Sequence, residues 1–252
     1  MVEPAEDGSL RRLPAAREKA AMTRTRRIVA ALGLVTGAVV GTALAQPASA
    51  SAAPFSGSAA CPDLEVVFAR ATGELPGLGT VGRPLVSAVQ RELPGKSVGS
   101  YAVNYAASLD QTSAGPGATD MTNHVTQRAA SCPDTKFVLG GFSQGASVTD
   151  IAVGIPGLGI GREIPSNLVG RVVAIAAFGN PLGGLYQKTI TGSSPDYGPK
   201  ALEICNATDL VCGGQGTLGP GLGHFSYPFD GSVDQAARFA AQRFVQAQRV
   251  SG

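Results

Sequence analysis

Five short apolar runs punctuate the chain: Leu64 to Ala69, Ser97 to Tyr105, Phe137 to Gly141, Val172 to Phe178 and Ala201 to Cys205. Each is rich in Val, Ile, Ala or Phe and mostly lacks alternation, the pattern of strands covered on both faces. Between them lie stretches compatible with helix: Arg83 to Glu92, Ala118 to Ala130, Gln144 to Val153 and Val233 to Gln248. The last carries a clear stripe of Val233, Ala236, Ala237, Ala240, Phe244 and Val245. Strands and helices in alternation predict an α/β fold with a central five-stranded, mostly parallel sheet and helices on both faces. Gly154 to Pro165 and Gly213 to Gly223, rich in glycine and proline, read as long loops, and no internal repeat is visible.

The apolar run from Ile28 to Ala45 is of another kind. Arg24, Arg26 and Arg27 precede it and small residues around Ala48-Ser49-Ala50 and Ala52 follow, the plan of a secretory signal peptide. The run is slightly short for a membrane span and ends in a processing-like site, so no membrane anchor is expected after cleavage. The resulting division is an N-terminal extension over 1–21, a signal peptide over 22–52, a linker over 53–60 and one folded domain over 61–250. Met22 is then a candidate initiator. A secreted, extracellular or cell-wall-associated monomer is expected.

Charge changes the picture once that segment is set aside. The formal +2 of the full chain becomes −1 after Ala52, with 13 Lys/Arg against 14 Asp/Glu. So near-neutral a domain offers no electrostatic footprint for nucleic acid. All four cysteines, Cys61, Cys132, Cys205 and Cys212, follow the signal, and export favours disulfides. Three pairings are open; the short spacing pairs Cys205 with Cys212 and leaves Cys61 for Cys132. Chain entropy assigns roughly 2.5 kcal/mol to the short loop and roughly 4.4 kcal/mol to the long one. A metal site is disfavoured, because there is no CxxC and only His124 and His224 could assist.

The candidate chemistry centres on Gly141-Phe142-Ser143-Gln144-Gly145. With 34 glycines in 252 residues, a G-x-S-x-G match arises by accident roughly 0.35 times per chain, so the motif alone is weak. Its context strengthens it: a strand reading ends, and a helix reading begins, at the serine. Such a junction presents the hydroxyl on a tip, while Gly141 and Gly145 remove side chains that would collide there. The Gln144 N–H then faces a developing negative charge at the helix start. A serine needs a base and an orienting carboxylate. His124 lies inside a helical stretch and reads as a surface or capping residue, whereas His224 lies in the loop "GPGLGHFSYP", from which an imidazole can reach the serine. Asp209 lies in "CNATDLVC", a loop that the Cys205–Cys212 bridge would hold, with Asp196 and Asp230 as rival carboxylates. The order Ser143, Asp209, His224 is that of α/β-hydrolases. The Asn206-Ala207-Thr208 sequon is read as part of the bridged loop.

The segments "CPDLEVVFARATGE", "CPDTKFVLGGFSQGA", "CNATDLVC" and "GHFSYP" together resemble the cutinase family, particularly its secreted actinobacterial members. The resemblance spans Cys61 to about Val250. It implies Ser143 as nucleophile, Asp209 and His224 as the rest of the triad, both cystines as paired above, and an oxyanion hole from the Thr72 hydroxyl and the Gln144 N–H. Ala71-Thr72 stands where many members have Gly-Ser or Gly-Thr, and Phe142 where Tyr is common.

Leu75, Leu78, Leu182, Leu185, Leu218, Leu222 and Phe225 lie on the loops expected to flank the serine, with few charges among them. An apolar rim favours an acyl chain over a charged peptide. The expected activity is hydrolysis of carboxylic esters of short- to medium-chain acyl groups, with cutin-like polyesters and lipids as substrates and no metal or organic cofactor. The same triad permits lipase, phospholipase or acyltransferase chemistry. A non-catalytic surface protein is the alternative from another class.

Overall fold

Parallel strands need both faces covered, and the computed structural model, which describes residues 61–155, 159–215 and 222–250, meets that need with two helical layers. The extension, signal and linker expected over 1–60 lie outside the described residues, as do 156–158 and 216–221. The elements run β1 (Leu64–Ala69), α1 (Gly79–Glu92), β2 (Val98–Ala102), α2 (Ala114–Ser131), β3 (Lys136–Phe142), α3 (Gln144–Ala152), β4 (Val172–Phe178), α4 (Pro181–Tyr186), α5 (Ile190–Ser193), β5 (Ala201–Ile204) and α6 (Ser232–Val250). The five strands are all parallel, in the order β2-β1-β3-β4-β5. This is the α/β-hydrolase arrangement.

The core divides into two halves. On one face Val66 and Phe68 pack with Val81, Leu85 and Val89 of α1 and with Ala236, Ala240 and Phe244 of α6. On the other, Val67, Leu139 and Ile175 meet Met121 and Val125 of α2 and Val148 and Ile151 of α3. β1 and β4 are buried along their whole length and β3 from Phe137 onward, as their non-alternating runs imply. β2 and β5 are edge strands and only half-buried, which corrects the expectation that all five are covered on both faces.

α1 and α2 each begin four residues earlier than the sequence pattern indicates, because glycine and proline disguise their first turns. Gly82 is required by packing: a Cβ there would stand 2.4 Å from the Phe68 ring. Pro116 falls in the first turn of α2, where a missing N–H costs nothing. The segment "PLGGLY", read as loop, is α4, started by Asn180, whose side chain accepts from the Leu182 N–H, with Pro181 at the first position. Two disulfides close the domain, Cys61–Cys132 and Cys205–Cys212, with Cα separations of 5.4 and 5.7 Å.

Because the chain runs from β1 to one side and then crosses to β3 on the other, the strand order reverses between β1 and β3. A crevice at the carboxyl ends of those strands is where such sheets bind ligands.

Candidate active site

At that reversal β3 turns into α3 through Ser143. Its backbone is left-handed, φ 56° and ψ −120°, a region that a side chain rarely adopts. The conformation is held by a hydrogen bond of 2.9 Å from Ser143 N to Phe178 O and by one of 2.8 Å from Ala146 N to Ser143 O. The flanking glycines are sterically forced. A Cβ on Gly141 would lie 1.9 Å from Gly145 O, and one on Gly145 would lie 2.0 Å from Ala69 O. The turn therefore tightens against the end of β1, and Gln144, first residue of α3, has an N–H with no intrahelical acceptor.

His224 and Asp209 meet across fifteen residues of sequence: Nδ1 lies 2.8 Å from Oδ2. Both are buried. Burial works to raise the Asp209 pKa, but hydrogen bonds from His224, Tyr227 and the Val211 N–H outweigh it and hold the carboxyl below its ordinary value. Asp209 is therefore an anion facing an imidazole, and its own N–H is fixed by Asn206 O at 2.9 Å. The aspartate loop and the histidine loop are tied by Asn206, whose amide donates to Gly223 O (3.2 Å), Ser226 Oγ (2.7 Å) and Asp230 Oδ2 (2.7 Å). Gly179, at φ 55° just after β4, lets both catalytic candidates approach: a Cβ there would be 2.8 Å from Asp209 Oδ2 and from His224 Cε1.

Ser143 and His224 are linked through Phe142, whose ring centroid is 4.8 Å from the imidazole. Among the described residues no hydrogen bond joins Ser143 to His224. The Nδ1 contact with Asp209 leaves Nε2 as the free ring nitrogen.

The turn after β1 brings Thr72 to the same crevice. Thr72 Oγ1 accepts from Gln111 Nε2 at 2.9 Å, so its own hydrogen is available to another acceptor. Gln144 Nε2 donates to Ser108 O at 3.1 Å. One loop between β2 and α2 thus touches both oxyanion-hole candidates. The Thr72 turn is braced from beneath. Glu74 accepts from Ala71 N (2.6 Å) and Thr80 N (2.7 Å), buried Arg70 donates to Glu74 O (2.8 Å) and Tyr105 O (2.7 Å), and Tyr105 returns its hydroxyl to Arg70 O.

The rival groups have other tasks. His124, on α2, bonds Glu65 Oε2 at 3.0 Å and stacks on Tyr101 at 3.5 Å, and is neither a cap nor a bare surface residue. Asp230 accepts from the Ser232 N–H at 3.0 Å, at the start of α6, and from Ser226. Asp196 acts electrostatically on Lys200. Of the expected rim, Leu75, Leu185, Leu222 and Phe225 are exposed, Leu182 is core, Leu78 packs partly against the core, and Leu218 lies outside the described residues. Leu109 in the loop before α2, Tyr186 at the end of α4 and Leu210 in the aspartate loop are exposed as well.

Sequence reasoning missed Tyr227, Gln111, Asn206 and the Arg70–Glu74 brace. Tyr227 lies in the quoted "GHFSYP", but nothing local shows its hydroxyl reaching Asp209, as it does here.

A family model described as Cutinase matches residues 60–244. A protein named Cutinase from Kineococcus radiotolerans is 55% identical over 185 residues, 73% of this chain, and the match spans 62% of that relative's length. From Mycobacterium tuberculosis, Probable carboxylesterase Culp3 is 42% identical over 231 residues, covering 88% of this chain and 83% of its own, and Phospholipase Culp4 is 42% identical over 228, covering 88% and 93%. Among solved structures, Trichoderma reesei cutinase bound to a phosphonate inhibitor superposes with a TM-score of 0.57 at 27% identity, covering 73% of this chain and 77% of that one. An acetyl xylan esterase superposes with a TM-score of 0.61 at 25% identity, covering 73% and 99%.

Proposed function

The chain belongs to the cutinase family of carboxylic ester hydrolases, and from that membership we propose a secreted serine esterase that cleaves short- to medium-chain acyl esters through Ser143, His224 and Asp209. The observation that carries this reading is the 2.8 Å bond between His224 and Asp209, beside a serine in a left-handed elbow. Ser143 Oγ attacks the ester carbonyl while His224 Nε2 takes its proton, and ionised Asp209 stabilises the imidazolium that forms. The Gln144 N–H and the Thr72 hydroxyl receive the oxyanion of the tetrahedral intermediate, a contribution of several kcal/mol. His224 then protonates the departing alcohol, and water, activated by the same imidazole, releases the acid from Ser143. Catalytic hydrogen bonds in unliganded enzymes are commonly long and tighten with substrate, which accounts for the open step between Ser143 and His224.

Export is supported by the two cystines and by the N-terminal plan of the sequence. The exposed Leu75, Leu185, Leu222 and Phe225 favour an acyl chain at the mouth of the site. With a relative named Phospholipase Culp4, they also favour phospholipids as a second substrate class.

Ser143→Ala is expected to abolish labelling by an organophosphonate together with hydrolysis of p-nitrophenyl butyrate. Undiminished labelling of that variant overturns the assignment. A p-nitrophenyl ester series of increasing chain length, run beside an insoluble polyester and phosphatidylcholine vesicles, separates the substrate classes by rate.

A further inference from the structure

At the opposite end of the sheet, where β3, β4 and β5 begin, lies a cavity of about 410 Å³ walled by Lys136, Lys200, Arg243, Val172, Val173 and Ala247. The seven residues of β3 at roughly 3.3 Å each put it about 20 Å from the serine elbow. Its three cations are half-buried, and among the described residues none forms an ion pair and no carboxylate lines the cavity. Among the described residues Arg243 Nε is buried without an acceptor, while Nη1 donates to Gln246 Oε1 at 3.1 Å and the guanidinium lies 5.6 Å from the Phe239 ring centroid. Lys200 spends one hydrogen on Val169 O at 2.8 Å. Burial, and then Arg243 and Lys136, hold Lys200 below the ordinary lysine value against the opposing pull of Asp196. Like charges gathered at a partly dry surface cost free energy unless something negative joins them. The remaining wall is Gly170, Pro199 and Ala247 with Gln246 beside Arg243, and the buried Val172 and Val173 close it from beneath.

We propose that this cavity is a second, non-catalytic binding site for an aliphatic carboxylate, its head held by Lys200, Arg243 and Lys136 and its chain laid on Pro199 and Ala247. The volume is about that of a dozen waters, room for a chain of several carbons. An inorganic anion would use the cations but leave the apolar wall uncovered; a neutral alcohol would do the reverse. Identifying the carboxylate with the acid released by ester cleavage rests on the esterase reading. The binding itself does not.

Hexanoate titrated into the full-length mature protein, followed by amide chemical shifts, tests it. Saturable shifts at Gly170, Val173 and Ala247 are expected, with hexanol and inorganic phosphate each binding about tenfold more weakly or worse. Lys200→Gln and Arg243→Gln should each weaken hexanoate about tenfold while ester hydrolysis stays at the parent rate, which also reports that both variants are folded. Absence of shifts at those amides overturns the proposal, and so does equal binding of phosphate or hexanol, or binding indifferent to both substitutions. Since the titration requires no turnover, a protein inactive on esters that still binds hexanoate here would refute the esterase reading and leave this site standing.

Discussion

Tyr227 gives its phenolic hydrogen to Asp209 Oδ2, the same oxygen that receives His224 Nδ1. Burial and then this bond push the phenol pKa upward, so the hydroxyl stays protonated and donating. It also accepts from the Asn206 N–H at 3.3 Å and touches Cys212 Sγ at 3.5 Å. One side chain thus joins the carboxylate, the bridged loop and the histidine loop.

Tyr227→Phe keeps the ring packed on Phe142 and Phe178 but removes that donor. A hydrogen bond to a charged group contributes roughly 1.5–3 kcal/mol. Because His224 and the Val211 N–H remain, kcat on p-nitrophenyl butyrate should fall about tenfold with KM little changed. An unaltered kcat would mean that the phenol serves packing alone.

Gln111 is expected to act only through Thr72. Thr72→Ala should lower kcat roughly 10²- to 10³-fold, the usual cost of one oxyanion donor. Gln111→Ala, which frees the hydroxyl to rotate, should cost about tenfold, and the double variant should be no worse than Thr72→Ala. Additive losses in that cycle would show the two side chains working independently.

Gly145→Ala should prevent folding or destroy activity, because its Cβ would meet Ala69 O at 2.0 Å, backbone that β-pairing holds in place. Gly95→Ala, where no atom lies within 4 Å but φ is +79°, should cost only about 1 kcal/mol. Comparing the two melting curves separates steric closure from backbone strain.

Asp150, fully buried on α3, has a pKa of about 8, raised by burial and by Glu203 against the hydrogen bond from Asn180 Nδ2 at 3.1 Å. The folded state keeps this proton to about pH 8, whereas the unfolded chain releases it near the ordinary 3.8. Its contribution is therefore complete below that lower value and declines as pH rises to about 8, by up to about 1.4 kcal/mol per pH unit. Asp150→Asn keeps the acceptor for Asn180 and should flatten the pH dependence, raising stability most at and above pH 8 in urea titrations. Parallel wild-type and variant curves would place the proton elsewhere.

The strand runs of β1, β3 and β4 were legible because burial on both faces demands unbroken apolar sequence. Those of the edges β2 and β5 were located but overextended, since an edge lacks a neighbour to enforce its length. α4 escaped notice for a different reason: six residues containing two glycines carry no helical period, and what starts it is the Asn180 cap. The same asymmetry holds at the site. Gly141 and Gly145 announce a tight turn in any reading of the chain, while Gln111, Tyr227 and Asn206 look like ordinary loop residues until their partners, 39, 18 and up to 24 positions away, are in place.

By itself the chain determined its alternation of strand and helix and the glycine-framed serine, both of which follow from steric and hydrophobic rules acting over a few neighbouring residues. Folding alone decided that Asp209 faces His224, that Asp230 caps a helix instead, and that Lys136, Lys200 and Arg243 crowd one cavity. Hydrogen bonds and charge interactions depend on distance in space, and distant stretches of chain acquire such distances only when the sheet brings the ends of its strands together.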